Sequence, residues 1–263
     1  MRNPATEAAT LDTLEGLMNA AWPACEETDA DGWVLRSAGS VTQRANSVWP
    51  RAAPADPGAA LRLAARWYAA RRQPVIFQVT HRPENELLEQ LLDQDRYSRQ
   101  SETLIMTAPG TDADAHPEPG GVTLMLADAP SDAWMELWWR IDGRGGPAER
   151  GLAHEILTGV QSLYASAVNG DGTVVGTGRL TVVNGWGGIY CMSVHPDFRR
   201  RGVAAALLRQ LLAAAHERGA AQSWLLVTAA NAGAQALYEN AGFAEAGRYH
   251  YRQAPLRRAP GAC

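Results

Sequence analysis

The chain has 263 residues, 46% hydrophobic and 20% charged, with 24 basic against 28 acidic residues and a formal net charge of −4. That is enough apolar material for one large core or two small ones. The acidic excess argues against a nucleic-acid partner, whose binding rests on basic side chains neutralising phosphates. Every basic residue is arginine, which excludes P-loop, Schiff-base and kinase-strand lysine chemistry. Cys25, Cys191 and Cys263 are odd in number and form no CxxC, and the six histidines make no HxxxH or HExxH, so neither a disulfide framework nor a metal site is expected. The first residues carry Glu7, Asp12 and Glu15, and the uncharged stretch 219–238 is interrupted by Gln222, Ser223, Thr228 and Asn231. Neither reads as a leader or a membrane span, and the expectation is a cytoplasmic protein with no membrane partner.

In chain order, 33–36 and 41–48 read as short strands, 59–72 as an amphipathic helix and 75–80 as a buried strand. A Leu-rich helix over 84–95 and a strand over 102–107 close the first half. The run Pro109-Gly-Thr-Asp-Ala-Asp-Ala-His-Pro-Glu-Pro-Gly-Gly121 reads as a linker. Beyond it come a strand at 122–127, helical patterns near 131–141 and 149–166, and an antiparallel pair at 173–183 and 188–195. A long helix (203–218), a strand (224–228), a helix (232–241) and a strand (246–252) follow. This divides the chain into an N-terminal domain (1–108), a linker (109–120), a C-terminal domain (121–254) and a tail (255–263), all α/β with mixed sheets.

The halves share one plan. Asn46-Ser-Val-Trp-Pro50 precedes a helix, then VIFQVT and a Leu-rich helix ending Asp95-Arg96-Tyr97; Met192-Ser-Val-His-Pro196 precedes a helix, then WLLVT and a helix ending Ala241-Gly242-Phe243. A degenerate tandem repeat accounts for this spacing.

Chemistry concentrates in Val194-His-Pro-Asp-Phe-Arg-Arg-Arg-Gly-Val-Ala204. A strand ends in a loop of three arginines, Arg199, Arg200 and Arg201, and a glycine, Gly202, that opens directly onto a helix. Unpaired amides and the positive end of the helix dipole suit an anion there, Gly202 lets backbone approach closely, and Val203 and Ala204 begin the helix. This Arg-x-x-Gly-x-Ala element resembles the pyrophosphate-binding loop of the GNAT superfamily of acyl-CoA-dependent N-acyltransferases. Asn231-x-x-Ala234-x-x-Leu237-Tyr238-x-x-x-Gly242-Phe243 resembles its C-terminal motif. The match covers roughly residues 121–252.

The resemblance implies a GNAT fold, acetyl-CoA as co-substrate and no metal. It implies that amides around Met192–Val194 polarise the thioester carbonyl where the strand splays from its neighbour, that Asn231 faces the pantetheine arm, and that Tyr238 protonates the departing thiolate. As a general acid, Tyr238 is expected to be worth about 10²–10⁴ in rate. Many members place a glutamate on the strand before the loop. Here it reads Ile189-Tyr-Cys-Met-Ser-Val-His195, with no carboxylate. The base is then a water chain, a residue from elsewhere (Glu136, Asp142, Glu149 or Glu155), or unneeded. Trp134, Trp138 and Trp139 have helical spacing and read as core or as one wall of the acceptor pocket; Trp138, Glu136 and Tyr190 are the pocket candidates. Cys191 reads as a small core residue. The N-terminal half lacks both motifs and reads as a GNAT-like scaffold without cofactor binding. The implied activity is acetyl transfer to a primary amine, of an antibiotic or amino-acid-like small molecule, by direct attack in a ternary complex, in a monomer or homodimer. A protein or peptide acetyltransferase and a non-catalytic acyl-CoA-binding module are the alternatives.

Overall fold

A computed structural model of the chain describes residues 10–39, 41–110 and 121–255. Most of the expected linker and tail lie outside them. The elements, in order, are α1 (Leu11–Ala21), β1 (Glu26–Ala30), β2 (Trp33–Ser37), β3 (Val48–Pro50), α2 (Pro57–Ala70), β4 (Ile76–Thr80), α3 (Glu86–Gln94) and β5 (Ser98–Pro109). They continue with β6 (Val122–Ala127), α4 (Asp132–Asp142), α5 (Pro147–Thr158), β7 (Leu163–Asn169), β8 (Val174–Val183), β9 (Trp186–Val194), α6 (Val203–Glu217), β10 (Gln222–Thr228), α7 (Ala232–Asn240) and β11 (Ala244–Gln253).

These elements form two compact units. Among the described residues, the larger unit holds 10–23 and 104–246, and the smaller holds 24–103 and 247–255. In the larger, β6, β7, β8 and β9 pair antiparallel and β10 joins β9 in parallel. In the smaller, β1, β2 and β3 pair antiparallel, β4 joins β3 in parallel, and β11 pairs antiparallel with β4 from Tyr249↔Thr80 to Gln253↔Ile76. Each sequence half therefore runs antiparallel strands, helix, parallel strand, helix. The strand that follows is handed over: residues 104–109 of β5 belong to the larger unit and 247–253 of β11 to the smaller.

Glycine decides how α6 packs in the larger unit. A Cβ on Gly176 would lie 2.8 Å from Leu207 Cδ1 and 3.0 Å from Val203 Cγ1, and one on Gly178 2.7 Å from Leu211 Cδ1. The missing side chains on β8 are the space into which α6 sets its apolar stripe of Val203, Leu207 and Leu211, all buried. The alternate β8 residues, Thr177 and Arg179, face the other way. There Arg179 Nη1 donates to Ala21 O at 3.0 Å, with its guanidinium over the rings of Trp22 and Tyr190. This fastens α1, whose Leu14, Leu17, Met18 and Ala21 are buried at helical spacing. Trp134 anchors α4 on that same larger unit, donating from Nε1 to Ala165 O at 2.9 Å. The smaller unit packs Trp33, Leu35, Tyr68, Phe77 and Leu92 into a separate cluster.

Two sequence expectations are corrected. Residues 41–47 form no strand, because Asn46 spends its side chain on the backbone of Ala38 (2.7 Å) and Thr42 (2.7 Å) and so replaces ladder bonds. The helix expected to 166 stops at Thr158. Leu163, Ala165 and Ala167, all buried at a period of two, belong to β7. The sequence expectations also leave out α1 and β1, although the helical spacing of Leu14, Leu17, Met18 and Ala21 marks α1.

Candidate functional site

The site is built where β9 runs into α6. His195 N–H donates to Val175 O at 2.8 Å, so the edge of β9 carrying that amide still faces β8. Alternation along the strand turns the Val194 amide to the opposite edge, and the Val194 carbonyl accepts from Arg199 Nε at 3.1 Å instead of from a strand. That opposite edge is open. Pairing of β9 with β10 ends at Ile189↔Leu225, and the two strands part beyond it.

A bulge accompanies the parting. Between the pairs Thr177↔Ser193 and Arg179↔Tyr190, β9 inserts two residues, Cys191 and Met192, against the single Gly178 of β8. Cys191 takes φ +55°, a conformation that non-glycine residues adopt at a cost. Its carbonyl is held by Thr177 Oγ1 at 3.0 Å. Met192 packs against the core under α6.

After a single 3₁₀ turn at Pro196–Phe198, Arg200 (φ +61°) and Gly202 (φ +83°) bend the chain onto the helix. Gly202 is the N-cap of α6 and offers no side-chain acceptor, so the first-turn amides of Val203, Ala204 and Ala205 lack partners within the helix. Val203 buries its side chain; its contribution to an anion is through backbone. Arg199, Arg200 and Arg201 are exposed around this terminus, with Arg201 over the Phe198 ring at 5.1 Å. These features fit an anionic phosphate group.

Tyr238 lies on α7 at 7% exposure in the same core, 6.2 Å from the Phe243 ring. Burial, and then the charge of Asp142, push its hydroxyl up to about 12. Asn231 is the N-cap of α7, its Oδ1 accepting from Ala234 N at 3.1 Å. Asp142, the last residue of α4, accepts from Ser193 Oγ at 2.5 Å. Surrounding protein raises its carboxyl above the usual range, opposed by the Ser193 hydrogen bond and by Arg144 and Arg199. The other pocket candidates are less available. Trp138 is buried against Trp134 and Trp139, and Tyr190 is buried with its hydroxyl accepting from Trp224 Nε1 at 3.1 Å. Glu136 is exposed on α4.

Among the described residues, the smaller unit has a filled N-terminus on its matching helix. Its α2 is capped by the Asp56 carboxylate, which accepts from Ala59 N at 2.9 Å, and begins with Pro57, which has no N–H. Its 620 Å³ cavity is lined by ionic groups that pair in part with one another: Glu89 and Asp93 hold Arg252, and His81 Nε2 meets His250 Nδ1 at 2.9 Å. A 240 Å³ cavity of the larger unit lies by Arg218, after the C-terminus of α6, and takes no residue from the 195–202 loop or α7. Among the described residues no cluster could hold a metal ion, and no helix is long and apolar enough to cross a membrane.

Sequence comparison bears on this geometry. A family described as "Probable histone acetyltransferase Rv0428c C-terminal" matches residues 8–252. The chain belongs to this acetyltransferase family. It is 28% identical over 242 residues to the Bacillus subtilis "Uncharacterized N-acetyltransferase YobR", covering 91% of this chain and 96% of that protein. It is 47% identical over 58 residues to the Escherichia coli "[Ribosomal protein bS18]-alanine N-acetyltransferase", covering 22% of this chain and 39% of that one. The fold matches a GCN5-related N-acetyltransferase from Kribbella flavida with a TM-score of 0.68 at 17% identity, over 94% and 96% of the two chains. The family member described here is a GNAT-type N-acetyltransferase, and acetyl-CoA is the co-substrate that its fold implies.

The Asp142–Ser193 contact and the Cys191 bulge escaped sequence reasoning. One signal for the first was present: a carboxylate ending a helix, where the dipole disfavours negative charge.

Proposed function

We propose that the larger unit carries one acetyl-transfer centre, which moves an acetyl group from acetyl-CoA to a primary amine of a small molecule by direct attack in a ternary complex. The observation that carries this reading is the succession of two openings along the chain: the pairing of β9 with β10 ends at Ile189/Leu225, and the N-terminus of α6, without a side-chain cap, follows at Gly202. In it, the α6 amides from Gly202 to Ala204 and the three arginines hold the pyrophosphate. The Val194 amide, facing the open edge, donates to the carbonyl oxygen as it gains negative charge, and costs no reorganisation because the strand already holds it. Asn231 borders the pantetheine arm and Tyr238 hydrogen-bonds the departing sulfur. The smaller unit is a GNAT-like scaffold, the two halves being copies of one plan; its matching strand order and the blocked terminus at Asp56 and Pro57 support this.

The test is thiol release from acetyl-CoA with propylamine, benzylamine, glycinamide and an alanine-initiated peptide. Acetylation of one or more of the three small amines in preference to the peptide is expected. Preference for the peptide would favour the second reading, a protein or peptide acetyltransferase, which the similarity to the bS18 alanine acetyltransferase supports. No acceptor-dependent release from any of the four would overturn the proposal.

A further inference from the structure

The strand that usually supplies a carboxylate has none, yet one reaches that strand from outside. Asp142 ends α4 against the helix dipole, a local conflict of the kind that marks functional positions. The chain is held tightly there. The Gly143 amide donates to Trp139 O at 2.9 Å, and a Cβ on Gly143 would lie 2.3 Å from Trp139 Cδ2. The carboxylate so placed accepts from Ser193 Oγ at 2.5 Å. Ser193 is 4% exposed, pairs with Thr177 and immediately precedes Val194. Asp142 itself is exposed, so it can exchange protons with solvent while touching the strand that the reaction uses. The charged or titratable groups facing it are Arg144 and Arg199 from the neighbouring loops and Tyr238 from α7.

We propose that Asp142 is the proton acceptor for the acceptor ammonium and that Ser193 positions it. This rests on the acetyl-transfer reading above. The protons balance as follows. An N–H bond of the ammonium breaks and an O–H bond forms at Asp142, which frees the nitrogen lone pair to form the N–C bond. As the C–S bond breaks, the departing sulfur accepts a hydrogen bond from Tyr238, and the second nitrogen proton passes to sulfur through that hydroxyl. Asp142 then releases its proton to solvent, leaving one proton lost per acetyl transferred.

The experiment compares kcat/KM against pH for the wild type, Asp142→Asn and Ser193→Ala, with two active amines of different pKa from the panel above. The wild type should show a plateau between the Asp142 pKa and the pKa of each amine. Asp142→Asn should lose about 10²–10⁴ of this plateau and instead rise about tenfold per pH unit up to each amine's own pKa. Ser193→Ala removes a hydrogen bond that lowers the Asp142 pKa, so its acid limb should move to higher pH. Acetyl-CoA affinity by calorimetry should be unchanged in both variants. A wild-type profile in Asp142→Asn, or an unmoved acid limb in Ser193→Ala, overturns the assignment and leaves acetyl transfer standing. Absence of acetyl-CoA binding in the wild type overturns the underlying reading.

Discussion

Replacing Tyr238 with Phe removes one hydroxyl and keeps the ring that packs on Phe243. Its size follows from the local electrostatics. The hydroxyl is raised to about 12, whereas an ordinary thiol ionises near about 8.5, so complete transfer in the resting site runs uphill by roughly 5 kcal/mol. Tyr238 therefore acts chiefly by hydrogen-bonding a sulfur that is gaining charge, which is worth about 1.5–3 kcal/mol. The expected loss is about 10- to 150-fold in the chemical step, toward the low side of the general-acid range that the sequence alone suggests. Single-turnover thiol release with enzyme in excess measures this step apart from product release. Melting temperature and acetyl-CoA affinity should remain near wild type. An unchanged single-turnover rate would refute the role, and loss of acetyl-CoA affinity would return Tyr238 to core packing alone.

Gly176→Val should destabilise the larger unit by about 1–3 kcal/mol, because the added side chain meets Leu207 and Val203 of α6; an unchanged denaturation midpoint would contradict the packing. His250 in the smaller unit is held down to about 4 by burial first and then by Arg99, His81 and Arg252, against the opposing pull of Glu102 and of Glu89 Oε1, 2.7 Å from its Nε2. A depressed histidine pKa means that the unfolded chain binds the extra proton, so this stability is fully present above about pH 6.5 and is lost as pH falls toward 4. At most about 3 kcal/mol is at stake, and denaturant melts across that window should show a shallower slope in His250→Gln than in the wild type. An identical slope would place the histidine outside the linkage.

Much of this was legible in the sequence because the informative signals are local. The Arg-rich loop, Gly202 and the α6 stripe are read within some twenty residues, and Gly202 does take the left-handed conformation that only glycine adopts freely. The strand handover was not legible, since β5 and β11 look like ordinary last strands and nothing in their composition says which unit receives them. Residues 41–47 were misread because Ser, Val and Thr suggest a strand, while one side chain, Asn46, captures the backbone bonds. Asp142 could only be named as one of four carboxylates: it lies 51 residues from Ser193, and a contact that distant has no periodic trace. The helical spacing of Trp134, Trp138 and Trp139 fits core or pocket wall equally well, and in the fold Trp138 and Tyr190 are buried among aromatic neighbours.

The most direct measurement is calorimetric titration of acetyl-CoA into the wild type and Gly202→Glu. One site per chain is predicted, in the larger unit, with binding abolished in the variant because a carboxylate then occupies the phosphate position at the start of α6. The left-handed backbone adds about 1–2 kcal/mol of strain, so circular dichroism should still report a folded chain. Two sites per chain, or wild-type affinity in a folded Gly202→Glu protein, would contradict the account.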